Sequence, residues 1–140
     1  DDIENIDNMD TLGIAGAIPG PPLFQGSGSS GVVVAMSHFF DTQGEPAKGG
    51  ARTTAQAMAH ECGHYLGLYH LTEKTGIVHD DLLDTPECVD GDDEDDLAGS
   101  GECSGKGNDN LMFWSASGRS ELSREQITVI RSNPQLRQAQ

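Results

Sequence analysis

The chain has 140 residues, the size of one ordinary domain and enough to enclose a sizeable core. Its formal charge is −15, with 23 acidic against 8 basic side chains, which argues against nucleic acid and against anionic membrane surfaces as partners. No apolar run approaches the roughly 18 residues that a membrane-spanning helix needs, and no signal peptide is legible at Asp1, so the chain reads as a processed or trimmed soluble product.

Residues 1–11 are acidic and read as a frayed lead-in. Residues 12–18 are short and apolar, a candidate strand stopped by Pro19, Gly20, Pro21 and Pro22. A Gly/Ser loop over residues 25–30 leads into residues 31–36, where Val32, Val33 and Val34 signal a β-strand. Residues 41–50 are turn-rich, and a helix is expected over residues 51–66, starting near Thr53 and Thr54. Residues 68–86 descend into a less regular part that holds an acidic loop between Cys88 and Cys103. Ser123, three residues before Gln126, forms a capping box that opens a final helix ending at Asn133 and Pro134.

The most informative window is residues 60–70, HECGHYLGLYH, which places three of the chain's five histidines in eleven positions. A helix advances about 100° and 1.5 Å per residue, so His60 and His64 share one face about 6 Å apart along the axis. Glu61 lies about 100° round from His60, placed to reach a metal-bound water without ligating. On a continued helix His70 would sit about 9 Å beyond His64 and some 240° round, out of reach. The helix therefore has to stop between them, and Gly67 is the residue suited to the left-handed turn. Gly63 is a poor helix former whose bare Cα admits close approach by neighbouring backbone. An amphipathic helix with stray histidines explains His60 and His64 but leaves Gly67 and His70 without a reason. Three neutral nitrogens and one open position suit catalytic zinc, with Glu61 as general base.

The window resembles the zinc signature of the metzincin metallopeptidases. With Asp84, Thr85 and Pro86, and with Asn110, Leu111 and Met112, it is similar to the pappalysin family, which includes ulilysin-like bacterial enzymes. The resemblance implies an α+β zincin with a short mixed sheet and an active-site helix in an upper subdomain (residues 1–67). An irregular lower subdomain (residues 68–140) would hold the third ligand, the acidic loop and the C-terminal helix. It also implies a methionine turn at Met112 forming an apolar floor under the metal. Residues 31–36 would be the edge strand that pairs with substrate, although a fully paired inner strand fits the same residues. Trp114 stands where relatives commonly carry a tyrosine that helps stabilise the oxyanion; an indole offers one N–H donor only, so Trp114 is expected to wall the cleft instead. Such domains usually carry more strands and a backing helix before the zinc helix. Only 59 residues precede His60 here, so the N-terminal part of the upper subdomain is expected to lie outside this chain, cut off or present as a separate fragment; a compact variant domain is the rival reading.

Cys88 and Cys103 flank the acidic loop and can close it as a disulfide, which would indicate an oxidising, extracellular setting; two reduced thiols are the alternative. Cys62 is expected to be buried and unpaired. Asp90 and Asp92 in the acidic loop are candidate calcium ligands, weighed against a solvated loop. The resemblance adds Asp80, Asp81 and Asp84, because relatives bind calcium near the Asp-Thr-Pro segment. His38 and His79 read as surface or packing residues. Residues 115–121 are expected to shape a substrate pocket, with Arg119 as a selector of acidic side chains. The expected function is a secreted zinc endopeptidase acting on protein or peptide substrates. It would be monomeric, or associated with a missing N-terminal fragment. A metal-bound but inactive binding module and a calcium-dependent interaction domain are the competing readings.

Overall fold

A computed structural model describes residues 2–5, 10–22, 27, 30–91, 95–116 and 120–137. The chain runs through β1 (Asp2–Asn5), β2 (Asp10–Ala15), β3 (Val32–Val34), α1 (Gly50–Tyr65), α2 (Arg124–Ser132) and α3 (Pro134–Arg137), an α+β arrangement. The three strands form one sheet in the order β1-β2-β3, antiparallel throughout. The expected mixed sheet is therefore not what these strands make. A parallel pair needs a crossover, usually helical, and no helix precedes residue 50 among the described residues.

The lead-in expectation is also corrected. Asp2–Asn5 is a strand, paired with β2 through Ile3 opposite Gly13, and β2 starts at Asp10 rather than at Leu12. Pairing satisfies backbone groups whatever the side chains prefer, so an acidic segment of weak β-propensity is recruited by an open strand edge. β3 lies at the other edge of the sheet and pairs with β2 through Val32, Val33 and Val34.

Helix α1 begins at Gly50, where an added Cβ would strike the carbonyl oxygens of His38 and Phe39. It packs on the sheet through a small core of Leu12 and Ala57, flanked by Val34 and Ala116. A second, larger core lies after the helix. Leu68, Leu71, Ala98, Leu111, Met112, Phe113 and Trp114 enclose the disulfide between Cys88 and Cys103, whose Cα atoms are 5.6 Å apart. The capping box of α2 forms as expected: the Ser123 hydroxyl accepts from the Gln126 backbone N–H, and the Gln126 side chain accepts from the Ser123 N–H. Gln126 also exchanges amide hydrogen bonds with Asn110, so the start of α2 is tied to the methionine segment. At its other end, the Asn133 side chain donates to the Leu66 carbonyl just past α1. No helix among the described residues is long and apolar enough to cross a membrane.

Candidate metal centre

The end of α1 decides whether His70 can join the other two histidines. Tyr65 is its last residue, Leu66 caps it, and Gly67 has φ +107°. The Gly67 N–H donates to the His64 carbonyl at 2.8 Å and the Leu68 N–H to the Gly63 carbonyl at 3.0 Å. This pair of bonds is a Schellman motif, and it satisfies two carbonyls that a broken helix would otherwise leave bare. The chain then reverses, and residues 68–70 bring the third imidazole back to the helix face.

The three Nε2 atoms converge. His60 lies 3.0 Å from His64 and 3.0 Å from His70, and His64 lies 3.2 Å from His70. All three side chains are buried. Each Nδ1 has its own partner outside the cluster: the Leu111 carbonyl at 2.7 Å for His60, the Leu68 carbonyl at 2.8 Å for His64, and a Glu73 carboxylate oxygen at 3.0 Å for His70. A carbonyl can only accept, so the Nδ1 atoms of His60 and His64 carry the protons and their neutral rings present bare Nε2 lone pairs. Such lone pairs facing one another repel without a cation between them. A tetrahedral ion with metal–nitrogen bonds of about 2.0–2.1 Å sets its nitrogens about 3.3 Å apart, close to the spacing here. The cluster is thus fitted to hold a metal ion such as zinc, and among the described residues it is the one group of three such side chains close enough to share an ion.

Electrostatics favour the neutral rings. Burial first, then the charges of His70 and His64, push His60 well below the ordinary imidazole value. Burial and the charge of His70 lower His64 to about 4. For Glu73, burial raises the carboxyl, but the hydrogen bond from His70 and the His70 charge outweigh it, and the net direction is downward.

Two expected positions around the cluster have well-defined surroundings. Met112 is wholly buried, and a Cβ on Gly63 would collide with its sulfur. The glycine inside the helix therefore admits a methionine side chain, where close backbone had been expected. Leu111, the residue before Met112, supplies the carbonyl that orients His60. Glu61 is also fully buried, and a Cβ on Gly13 would lie 2.7 Å from its Cγ and 3.0 Å from its Oε1. The strand against this carboxylate is thus β2.

Other expectations fall differently. Trp114 does not wall a cleft: it is buried in the lower core, and its indole N–H donates to the Ala98 carbonyl at 2.8 Å. Cys62 is exposed rather than buried, since two residues turn it about 200° from His60 on the helix. The carboxylates of Asp80, Asp81, Asp84 and Asp90 do not gather into a group of three. Asp80 accepts from the Thr85 hydroxyl at 2.6 Å and the Leu82 N–H at 3.2 Å, and burial raises its pKa despite these bonds. Asp84 caps the start of α2, accepting from the Glu125 N–H at 3.0 Å, and the Ser123 hydroxyl and these backbone donors hold its carboxyl low. A cavity of about 170 Å³ beside His70 is lined by Glu73, Asp80 and Asp81, while Asp90 lines a separate one of about 580 Å³ with Asp96. Asp92 and Arg119 lie outside the described residues. His79 is half-buried, bonded to the Cys88 carbonyl at 3.1 Å.

Nothing in the sequence marked the Leu111 and Leu68 carbonyls, because any residue type supplies one. Glu73 had a weak signal, a carboxylate three positions after a ligand histidine. Comparison of the chain with known protein families, with curated proteins and with solved structures gives no match in any of the three.

Proposed function

We propose that the chain is a zinc-dependent endopeptidase of the metzincin type, most similar to the pappalysins in its motifs. The observation that carries this reading is the meeting of three imidazoles at 3.0–3.2 Å, each anchored through its Nδ1, with Glu61 adjoining His60 on the same helix. Zinc, when bound, supplies Lewis acidity toward the scissile carbonyl and acidifies water at neutral pH. The chain's own contribution is positional. His60, His64 and His70 would hold the ion through Nε2, the three-ligand set that suits a catalytic rather than a structural zinc. Glu61 takes the proton of the attacking water and returns it to the leaving amine. Its carboxylate is buried against Gly13, where a low local dielectric strengthens its interactions with the fixed groups around it. Trp114 plays no part in stabilising the oxyanion, because its single donor is already committed to Ala98. The disulfide favours an oxidising compartment, hence an extracellular protein.

A metal-bound but inactive module is the second reading, and one observation favours it: Glu61 has no solvent-exposed surface in this conformation. The decisive experiment measures metal content and peptide hydrolysis together, on the parent chain and on Glu61→Ala. Endopeptidase function predicts one tightly held zinc in both proteins, chelator-sensitive turnover in the parent, and a loss of roughly 10²- to 10⁴-fold or more in the variant. Stoichiometric zinc with no turnover in the parent would establish the inactive module instead.

A further inference from the structure

The three ligand histidines are not oriented in the same way. His60 and His64 ride on a regular helix and donate to main-chain carbonyls, whose positions the fold fixes. His70 lies in irregular chain beyond the Gly67 turn, and its Nδ1 meets a side chain, the Glu73 carboxylate, at 3.0 Å. That carboxylate is itself presented by a tight loop. The Glu73 N–H donates to the Val78 carbonyl at 2.9 Å, the Gly76 N–H returns to the Glu73 carbonyl at 2.8 Å, and Thr72 bridges to His79 across the base. Gly76 has φ +65°, and a Cβ there would strike the Asp90 backbone, so the loop is closed by a residue that needs to be glycine. Glu73 is only partly covered, with its side chain 33% exposed.

We propose that Glu73 is the positioning residue for the third metal ligand: its carboxylate fixes His70 as the Nδ1–H tautomer and aims Nε2 at the other two nitrogens, and so sets how tightly the ion is held. The inference rests on the reading that the histidine cluster binds a divalent ion. Physically, an imidazole on irregular backbone would otherwise lose rotational freedom about its own bonds when the ion binds. A preset carboxylate removes that cost and makes the ring a stronger donor to the metal. Among the three ligands, His70 is the one whose orientation a single side-chain substitution can remove.

The test compares the parent with Glu73→Ala and Glu73→Gln by zinc competition against a chelator and by the absorption spectrum of the cobalt-substituted proteins. Glu73→Ala should weaken zinc binding about 10- to 100-fold and shift the cobalt spectrum away from the parent's coordination. Glu73→Gln keeps an uncharged acceptor at the same reach and should recover part of the affinity and most of the spectrum. Should Glu73→Ala fail to fold, Glu73→Gln still decides the matter by a smaller loss in the same direction. Parent-like affinity and spectra in the folded variants would overturn the positioning role while leaving the metal site intact. A parent that binds no zinc would overturn the site and this inference together, so the two failures are distinguishable.

Discussion

The region before Gly67 and the region after it contribute unequally to the candidate metal centre. The first supplies two of the clustered histidines and the candidate base from one helix, yet among the described residues the core it encloses is Leu12 and Ala57 under three short strands. The second supplies one ligand but holds the larger core, the disulfide and all three Nδ1 partners, at Leu68, Glu73 and Leu111. Helical spacing brings His60 and His64 to one face, whereas the direction in which each ring points is set from the other side of the break. The site is therefore a joint between a thin part and a stapled part, and its precision comes from the stapled part.

The largest expected effect separates the two cores. Met112→Ala empties a fully buried position under Gly63 and beside the Leu111 carbonyl, so it should cost about 2–5 kcal/mol and also weaken metal binding. Leu12→Ala removes an equally buried side chain from the smaller cluster, where neighbours at the thin edge can close in; it should fall near about 2 kcal/mol and leave metal affinity unchanged. Urea unfolding of the metal-free variants and zinc competition on the same samples read both quantities. Equal losses of affinity in the two variants would erase the asymmetry.

A second effect sharpens the view that the rings are held neutral. His64 titrates near 4 in the folded metal-free protein against about 6.5 unfolded, and His60 shifts in the same direction. Above pH 6.5 neither state binds the extra proton and His64 contributes nothing. Between pH 6.5 and 4 the unfolded chain binds it and the folded one does not, so stability falls as pH falls, by about 3 kcal/mol when complete. Because the many carboxylates titrate in the same range, the measurement is the difference between the parent and His64→Gln. The variant should lose less stability than the parent from pH 7 to pH 4, and parallel curves would mean that the ring is protonated in the fold.

What the sequence made legible follows the same division. Helical arithmetic gave the shared face of His60 and His64, the break before His70 and the left-handed Gly67. Local chemistry gave the α2 capping box, and loop closure gave the Cys88–Cys103 bridge as one of two alternatives. The main-chain acceptors were invisible because a carbonyl carries no residue signature, and Asp2–Asn5 was missed because strand pairing overrode its composition. Trp114 was placed at a cleft on resemblance, whereas a buried indole goes where its N–H finds a partner.

Cys62 provides the smallest effect and a check on which face of α1 belongs to the site. It lies inside the histidine motif, between two ligands in sequence, and thiolates are good zinc ligands. The helix nonetheless points it outward, and its thiol pKa is raised, by burial of part of the side chain and then by the negative charge of Glu61. A raised pKa leaves less thiolate at neutral pH, so alkylation should be slower than for an ordinary exposed cysteine. Cys62→Ser should change stability by less than about 0.5 kcal/mol and leave both zinc affinity and the cobalt spectrum at parent values. A cobalt spectrum that lost a sulfur-to-metal band on this substitution would show the thiol entering the coordination sphere, which would require α1 to rotate and would undo the assignment of His60 and His64 to one face.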